Sequence, residues 1–237
     1  MTTLFGEANA RGDLVSGDKH VHMAAAPEAE GPPRQLPLDV PGFTGRRDVL
    51  DRLDGLLRTT GPAPVIIALT GMPGIGKTAL AVHWAHLVSD HFPDGQIFID
   101  LRGYARRGPV SPREALSQAL RTLRVPSSRL PVEEDELAAL YRSRLAGKRA
   151  LIVLDDAASA QQVSPLLPGT SSCVVVVTAR RRLTALVARW GARAMALDLL
   201  SPAEARDLVG EVAGRERTRR EPDATADLVR MCARLPL

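Results

Sequence analysis

The residues best suited to chemistry form one glycine-rich run, Gly71-Met72-Pro73-Gly74-Ile75-Gly76-Lys77-Thr78. The run fits the G-x-x-x-x-G-K-[ST] pattern of a phosphate-binding loop without a mismatch. Glycines let backbone N–H groups converge on a polyphosphate, since no side chain holds the main chain away. Lys77 would bring a point charge to the β- and γ-phosphates, and Thr78 would offer its hydroxyl to Mg²⁺. With Ala79, the next residue, this run is the predicted phosphate site.

The setting of this run favours a true phosphate site over a chance glycine-rich turn. Val65 to Thr70 is a continuous apolar stretch, as expected for a strand buried on both faces. After the loop, Leu80, Trp84, Leu87 and Val88 fall at helical spacing. The N-terminus of that helix would also favour anions.

Two carboxylates end a second apolar stretch, Ala150 to Asp156. Because Mg²⁺ is hard and takes carboxylate oxygens, Asp155 at the strand tip is predicted to meet the ion held by Thr78. Asp156 has two interpretations: it orients the water that attacks the γ-phosphate, or it is the N-cap of the following turn.

Arginines follow the next apolar stretch, Cys173 to Thr178. Ligands of open α/β sheets bind at the carboxyl ends of the strands, so Arg180 could contact a γ-phosphate through a charge-assisted hydrogen bond. The neighbouring Arg181 and Arg182 are interpreted as a solvated helix start. Position alone separates Arg180 from them only weakly.

The elements around these residues predict an α/β fold with a doubly wound, parallel, five-stranded sheet. The remaining strands are predicted at 96–101 and 194–199, and helices with one apolar face at 47–58, 111–123 and 133–146. Ser111-Pro112-Arg113-Glu114 and Ser201-Pro202-Ala203-Glu204 are capping boxes that begin helices. In the second of these helices, Leu208, Val209 and Val212 form the predicted buried stripe.

The ends of the chain carry weaker signals. Residues 1–35 are predicted to form a flexible arm. Within it, residues 12–22 are predicted to form a small hairpin or to be disordered, and no metal site is predicted at His20 and His22. Residues 36–199 are predicted to form the nucleotide-binding domain. Residues 200–237 are the predicted beginning of a helical subdomain, with a charged loop at 215–221, and the sequence looks cut from something longer.

Composition limits the classes of protein. No apolar run is long enough to span a membrane, and no signal peptide is readable. Cys173 and Cys232 lack metal-ligand spacing and predict buried free thiols in a reducing cytoplasm. The net charge of +4 comes with an arginine-rich composition and does not by itself indicate a nucleic-acid partner.

Five motifs occur in order: Phe43-Thr44-Gly45-Arg46, the loop at 71–78, Leu154-Asp155-Asp156, Val177-Thr178-Ala179-Arg180 and Arg234-Leu235-Pro236-Leu237. From about residue 36 onward, the chain resembles the NB-ARC class of signal-transducing ATPases. This class includes modules of plant disease-resistance proteins, apoptosome-forming factors and bacterial antibiotic-biosynthesis regulators. The bacterial regulators are most similar, because of the Phe-Thr-Gly-Arg start.

The resemblance implies adenine contacts at Phe43, Thr44, Arg46 and Pro236, and a γ-phosphate sensor at Arg180. It also implies a helical subdomain that packs over the nucleotide from Ser201 onward. Two features depart from the family. Its usual Thr-Ser-Arg sensor reads Thr178-Ala179-Arg180 here, and the winged-helix segment whose histidine holds ADP is absent from this sequence.

The resulting hypothesis is a cytoplasmic ATP/ADP-binding regulatory switch that uses Mg²⁺. ATP would favour an open state that self-associates through the full-length protein, ADP would favour a closed state, and slow hydrolysis would reset the switch. Lys77, Asp156 and Arg180 would carry catalysis. Contact with DNA would be indirect at most, and no membrane is involved.

Two other functions compete with the switch. One is an AAA+-type ATPase acting on DNA or protein assemblies, for which Arg106 or Arg107 could serve as an arginine finger toward a neighbouring subunit. The other is a small-molecule kinase, which would need an acceptor pocket and a lid that the sequence does not contain.

Overall fold

One five-stranded sheet forms the centre of the computed structural model, which describes residues 31–58, 61 and 63–236. Its strands are β1 (Val65–Thr70), β2 (Gln96–Asp100), β3 (Leu151–Ala157), β4 (Val174–Ala179) and β5 (Arg193–Ala196). The order across the sheet is β2-β3-β4-β1-β5, and each pairing is parallel. The predicted parallel, five-stranded sheet is confirmed.

Helices cover both faces of this sheet. Within the described residues they are α1 (Arg47–Leu57), α2 (Lys77–Leu87), α3 (Pro112–Thr122), α4 (Glu134–Leu145), α5 (Ala160–Val163), α6 (Thr184–Trp190), α7 (Pro202–Ala213), α8 (Arg215–Arg220) and α9 (Pro222–Met231). Each crossover between consecutive strands contains at least one helix, as parallel pairing requires. The doubly wound arrangement is therefore also confirmed.

Alternate side chains of the buried strands pack into two separate hydrophobic cores, one on each face of the sheet. In β3, Ile152 and Leu154 pack with α3 and α4, whereas Leu151 and Val153 pack with α1 and α2. Since successive side chains of a strand point to opposite faces, a strand covered on both sides must be apolar throughout. This explains the continuous apolar runs that mark β1, β3 and β4 in the sequence.

Both predicted capping boxes are present. Glu114 N donates to Ser111 Oγ over 3.2 Å, and Ser111 N donates back to Glu114 Oε2 over 3.0 Å. The same exchange joins Ser201 and Glu204 at the start of α7. Each box satisfies N–H groups that have no partner inside the helix, so the starts of α3 and α7 are set by local sequence.

Several predicted boundaries and environments were wrong. The fifth strand lies at Arg193–Ala196 instead of 194–199, because pairing with β1 stops where β1 itself ends at Thr70. The stretch predicted as a charged loop, 215–221, contains helix α8. Within α8, Arg220 forms an ion pair with Glu216, four positions earlier, which stabilises a helix without an apolar stripe. Arg215, the first residue of α8, pairs instead with Glu211 of α7.

Two side chains predicted to be buried are exposed. Val212 in α7 has 83% of its surface exposed. Cys232 is an exposed free thiol, while Cys173 is buried as predicted. Spacing identifies one face of a helix, but whether another element covers each turn of that face is a tertiary property.

The predicted boundary between the two domains, at 199–200, falls in the connection between β5 and α7, and stays a prediction. Arg34, within the predicted arm, forms a bridge to Gln96 at the edge strand β2. The predictions for residues 12–22, including His20 and His22, lie outside the described residues. Among the residues that the structure describes, no helix is long and apolar enough to cross a membrane.

Candidate functional site

The phosphate loop connects the carboxyl end of β1 to the first residue of α2, as its pattern predicts. Gly76 is the N-cap of α2 and has φ +88°, a left-handed backbone that glycine adopts without strain. Lys77 Nζ donates a 3.0 Å hydrogen bond to Met72 O across the loop. The ammonium group is thus held directly over the main chain that is predicted to cradle the phosphates.

The surroundings of Lys77 make it a receptive partner for an anion. Burial lowers the pKa of Lys77, and the charge of Arg180 lowers it further, against the opposing effect of Asp156 and Asp155. A second cation close to the lysine concentrates positive charge at this end of the site. An anion bound there would relieve the repulsion between the two.

Next to the loop, two threonine hydroxyls converge on one carboxylate oxygen. Thr78 Oγ1 donates to Asp155 Oδ1 over 2.8 Å, and Thr178 Oγ1 donates to the same atom over 2.6 Å. Burial raises the pKa of Asp155, although the two hydrogen bonds oppose the rise. The predicted metal pair, Thr78 and Asp155, is therefore brought into direct contact by β1, α2 and β3.

This corner fits a magnesium ion. Among the described residues, none donates a hydrogen bond to Asp155 Oδ2, so this oxygen keeps its lone pairs for a cation. Mg²⁺ is usually held by one or two oxygen ligands of the protein, with water and phosphate completing the shell. The described residues contain no cluster of three or more acidic, histidine or cysteine ligands, which such a site does not require.

Asp156 and Arg180 meet beside this corner. Arg180 Nε lies 3.3 Å from Asp156 Oδ1, and the guanidinium carbon lies 4.1 Å from the centroid of the Tyr104 ring. Asp156 has φ +49°, at an irregularity in the pairing of β3 with β4. The alternative that Asp156 is a helix N-cap is wrong, because α5 is capped by Ser159.

On the other side of the phosphate loop lies a cavity of about 500 Å³. Its lining joins predicted adenine contacts, residues of the loop and α2, and the segment after β5. The residues that line it include Phe43, Thr44, Arg46, Ile75, Gly76, Ala79, Leu208 and Pro236. All four predicted adenine contacts therefore border one space next to the phosphate loop.

Arg46 connects three parts of this region. It is only 8% exposed, and its Nη2 donates to Ile75 O in the phosphate loop over 3.2 Å. Its backbone N–H donates to Glu204 Oε1 over 2.6 Å. The preceding Gly45 has φ +81°, and a Cβ there would lie 2.8 Å from the same oxygen, so another residue would strain the backbone and displace the Glu204 side chain from Arg46. Arg46 thus links the start of α1 to the phosphate loop and to α7.

Not every predicted site residue borders the cavity. Gly71, Met72, Pro73 and Gly74 lie in the loop itself, outside the cavity lining. Arg180 is at the phosphate end of the site, beside Asp156. Arg181 and Arg182 are exposed and precede α6, which begins at Thr184.

Three further residues belong to the site, but the sequence analysis did not predict them there. Thr178 holds Asp155 through its hydroxyl, and the same hydroxyl accepts a 2.9 Å hydrogen bond from Asp156 N. Tyr104 contacts Arg180, and Glu204 contacts Arg46. Thr178 could have been found from its place in the motif that ends at Arg180. Tyr104 and Glu204 lie far from Arg180 and Arg46 in sequence, so the sequence did not indicate these two contacts, although the capping box identified Glu204 as a helix-start residue.

Comparison with known proteins agrees with this geometry. Residues 46–219 match the NB-ARC domain family. The chain is 45% identical over 206 residues to the regulatory protein AfsR of Streptomyces griseus, covering 86% of this chain and 21% of that protein. Identity to AfsR of Streptomyces coelicolor is 43% over 211 residues, with the same two coverages. The chain therefore spans about a fifth of the length of these relatives.

A plant protein is also similar. Over 153 residues the chain is 28% identical to the probable disease resistance protein RPP1 of Arabidopsis thaliana, covering 59% of this chain and 12% of that protein. The predicted resemblance to both bacterial regulators and plant resistance proteins is confirmed, with higher identity on the bacterial side.

Solved structures share the fold at low sequence identity. Cdc6p from Pyrobaculum aerophilum superposes with a TM-score of 0.52 and 21% identity, over 73% of this chain and 51% of that one. The ORC1 protein of Aeropyrum pernix, solved in complex with DNA, gives a TM-score of 0.51 and 19% identity, over 75% and 51%. The fold is thus that of a P-loop NTPase, as predicted.

Proposed function

Because the chain belongs to the NB-ARC family, we propose that it is the nucleotide-dependent switch module of a regulatory protein. It binds ATP or ADP together with Mg²⁺, and the two nucleotides favour different arrangements of the segment after β5. Slow hydrolysis of ATP to ADP and phosphate resets the switch. In the full-length protein, the ATP state self-associates.

One observation carries this proposal: the cavity beside the phosphate loop, which borders all four predicted adenine contacts, is lined from both sides of the β5–α7 connection. Phe43, Arg46 and Ile75 contribute from the sheet domain, while Leu208 and Pro236 contribute from the helices after it. A nucleotide in this cavity would contact both parts at once. A ligand shifts a conformational equilibrium only by its differential contacts with the two states, and a movement of these helices would change the contacts of a nucleotide in this cavity.

The protein would distinguish ATP from ADP at the end of the site that faces the phosphates. Thr78 and Asp155 would hold the metal, which when bound neutralises phosphate charge. Asp156 would orient the attacking water, and Lys77 and Arg180 would stabilise the charge that develops on the γ-phosphate. Only ATP places a phosphate where Arg180 can meet it.

The first test is to identify the nucleotide that is released when the purified protein is denatured. Tightly held ADP supports a switch. Titrations with ADP and with a non-hydrolysable ATP analogue, both with Mg²⁺, then measure the two affinities. Failure of the folded protein to bind either nucleotide would reject the proposal.

The same preparation tests the AAA+-type alternative. Arg106 and Arg107 are exposed in the connection between β2 and α3, as an arginine finger needs to be. A turnover above about 1 s⁻¹, the low end of ordinary enzymes, together with stimulation by DNA that grows with DNA length, would favour this alternative over a switch.

A further inference from the structure

We propose that Tyr104 is a positioning residue for Arg180: its ring holds the guanidinium in place for the terminal phosphate of a nucleoside triphosphate. This inference rests on the proposed function, in which Arg180 meets that phosphate, and it adds a residue that determines how well ATP is distinguished from ADP. Tyr104 itself does not touch the nucleotide.

The guanidinium group of Arg180 is held on two sides. Its face lies over the Tyr104 ring at 4.1 Å, well within the distance of about 6 Å at which a cation is attracted to an aromatic ring. Its Nε donates to Asp156 Oδ1. Within the part of the chain that the structure describes, Nη1 and Nη2 donate to no protein group. These two donors form the edge that can pair with phosphate oxygens.

Arg180 is close to the phosphate loop. It follows directly after β4, which lies between β3, carrying Asp155, and β1, which leads into the loop. Its charge is one of the causes that lower the pKa of Lys77. The guanidinium therefore acts on the same space as the loop lysine.

Tyr104 is fixed by the backbone beside it. Gly103 N donates to Asp156 O over 2.6 Å. A Cβ on Gly103 would lie 2.4 Å from Asp156 O and 2.6 Å from Ala158 N, so the loop packs main chain against main chain at the end of β3. The backbone next to Tyr104 is thus tied to the strand end that carries Asp156. Because Tyr104 is 38% exposed, it is not a core residue.

The physical advantage is preorganisation. Arg180 is 37% exposed, and an unrestrained arginine would have to lose rotamer freedom each time it met a phosphate. Holding the side chain beforehand reduces that cost and so raises affinity. A cation–π contact at a partly exposed site corresponds to a change of about two- to fivefold in a dissociation constant. The change should affect ATP and spare ADP.

The experiment is a set of titrations with Mg²⁺ and either ADP or a non-hydrolysable ATP analogue. Tyr104→Leu removes the ring, and Tyr104→Phe keeps it without the hydroxyl. Each variant is made in the wild-type chain and in the Arg180→Ala chain, and thermal unfolding checks that all four are folded. We expect Tyr104→Leu to weaken binding of the ATP analogue about two- to fivefold and to leave the affinity for ADP unchanged. Tyr104→Phe should restore the affinity, and neither change should matter once Arg180 is alanine.

The outcomes separate this inference from the proposed function. If wild type binds the analogue and ADP with different affinities but Tyr104→Leu changes neither, the inference fails and the switch stands. The inference also fails if Tyr104→Phe is as damaging as Tyr104→Leu, or if the loss persists in the Arg180→Ala chain. A wild-type chain that binds neither nucleotide rejects both.

Discussion

Replacing Glu204 by alanine tests how the helices after β5 are tied to the nucleotide-binding domain. One carboxylate serves two helix starts: Oε2 accepts from Ser201 N over 2.8 Å, and Oε1 accepts from Arg46 N over 2.6 Å. Arg46 is the N-cap residue of α1, and its own side chain makes no cap. Glu204→Ala therefore removes an acceptor from α7 and from α1 together.

The expected loss combines two contributions. Removing a capping interaction costs about 1 kcal/mol, and a hydrogen bond to a charged acceptor contributes about 1.5 kcal/mol or more. Because Glu204 is partly exposed, we take the lower values and expect the free energy of unfolding to fall by about 2 kcal/mol. Ser201→Ala removes only the cap of α7 and should cost about 1 kcal/mol.

The pH dependence follows from the same hydrogen bonds. Burial alone would raise the pKa of Glu204, but the hydrogen bonds from Arg46 N and Ser201 N outweigh it, and the pKa lies below its ordinary value of 4.5. A carboxylate with a lowered pKa in the folded state contributes stability above its unfolded pKa and loses it as the pH falls through the folded pKa. The difference between wild type and Glu204→Ala should be constant near neutral pH and shrink below 4.5.

Urea unfolding of wild type, Glu204→Ala and Ser201→Ala, followed by circular dichroism across this pH range, provides the measurement. Glu204→Gln is the matched variant that keeps acceptor oxygen but loses the charge, and it should be intermediate. If Glu204→Ala is no more damaging than Ser201→Ala, the contact with Arg46 contributes nothing and the reasoning is wrong.

Four further variants test the site. Lys77→Ala should abolish detectable nucleotide binding while the protein stays folded, and calorimetry with ADP that shows unchanged affinity would make the loop a structural turn. Asp155→Asn should weaken Mg²⁺-dependent ATP binding, whereas Asp156→Asn should spare binding and slow hydrolysis, since a water-orienting group acts mostly in the transition state. Equal losses of binding would reject this division. Arg180→Ala should weaken ATP binding about ten- to hundredfold and leave ADP affinity nearly unchanged. Replacing the exposed neighbour, Arg181→Ala, is the control and should change neither affinity. Equal losses for both nucleotides would mean that Arg180 holds the shared phosphates.

Local signals predicted much of this fold correctly. The phosphate loop, the apolar strand ending in Asp155 and the capping box at Ser111 all depend on neighbours within a few residues, and each appears where it was predicted. Such features are readable because backbone conformation and capping are decided over short spans.

What the sequence did not reveal depends on packing across the sheet. Helix α8 was missed because it has no apolar stripe and is supported by the ion pair between Arg220 and Glu216. The contact between Arg46 and Glu204 joins residues 158 positions apart. Tyr104 meets Arg180 because β2, β3 and β4 are adjacent, an order that the sequence of elements alone does not determine.

The backbone at Asp156 also restricts which amino acids can occupy this position. Its φ of +49° lies in a region that asparagine and glycine enter readily and β-branched residues avoid. Its N–H and C=O are both engaged, with Thr178 Oγ1 and Gly103 N. In a library of all substitutions at position 156, selection for folded protein alone should retain asparagine and glycine and remove valine and isoleucine. A second selection for ATP turnover would then report on the carboxylate itself. The two selections together would separate the requirement for a left-handed backbone from the requirement for a carboxylate.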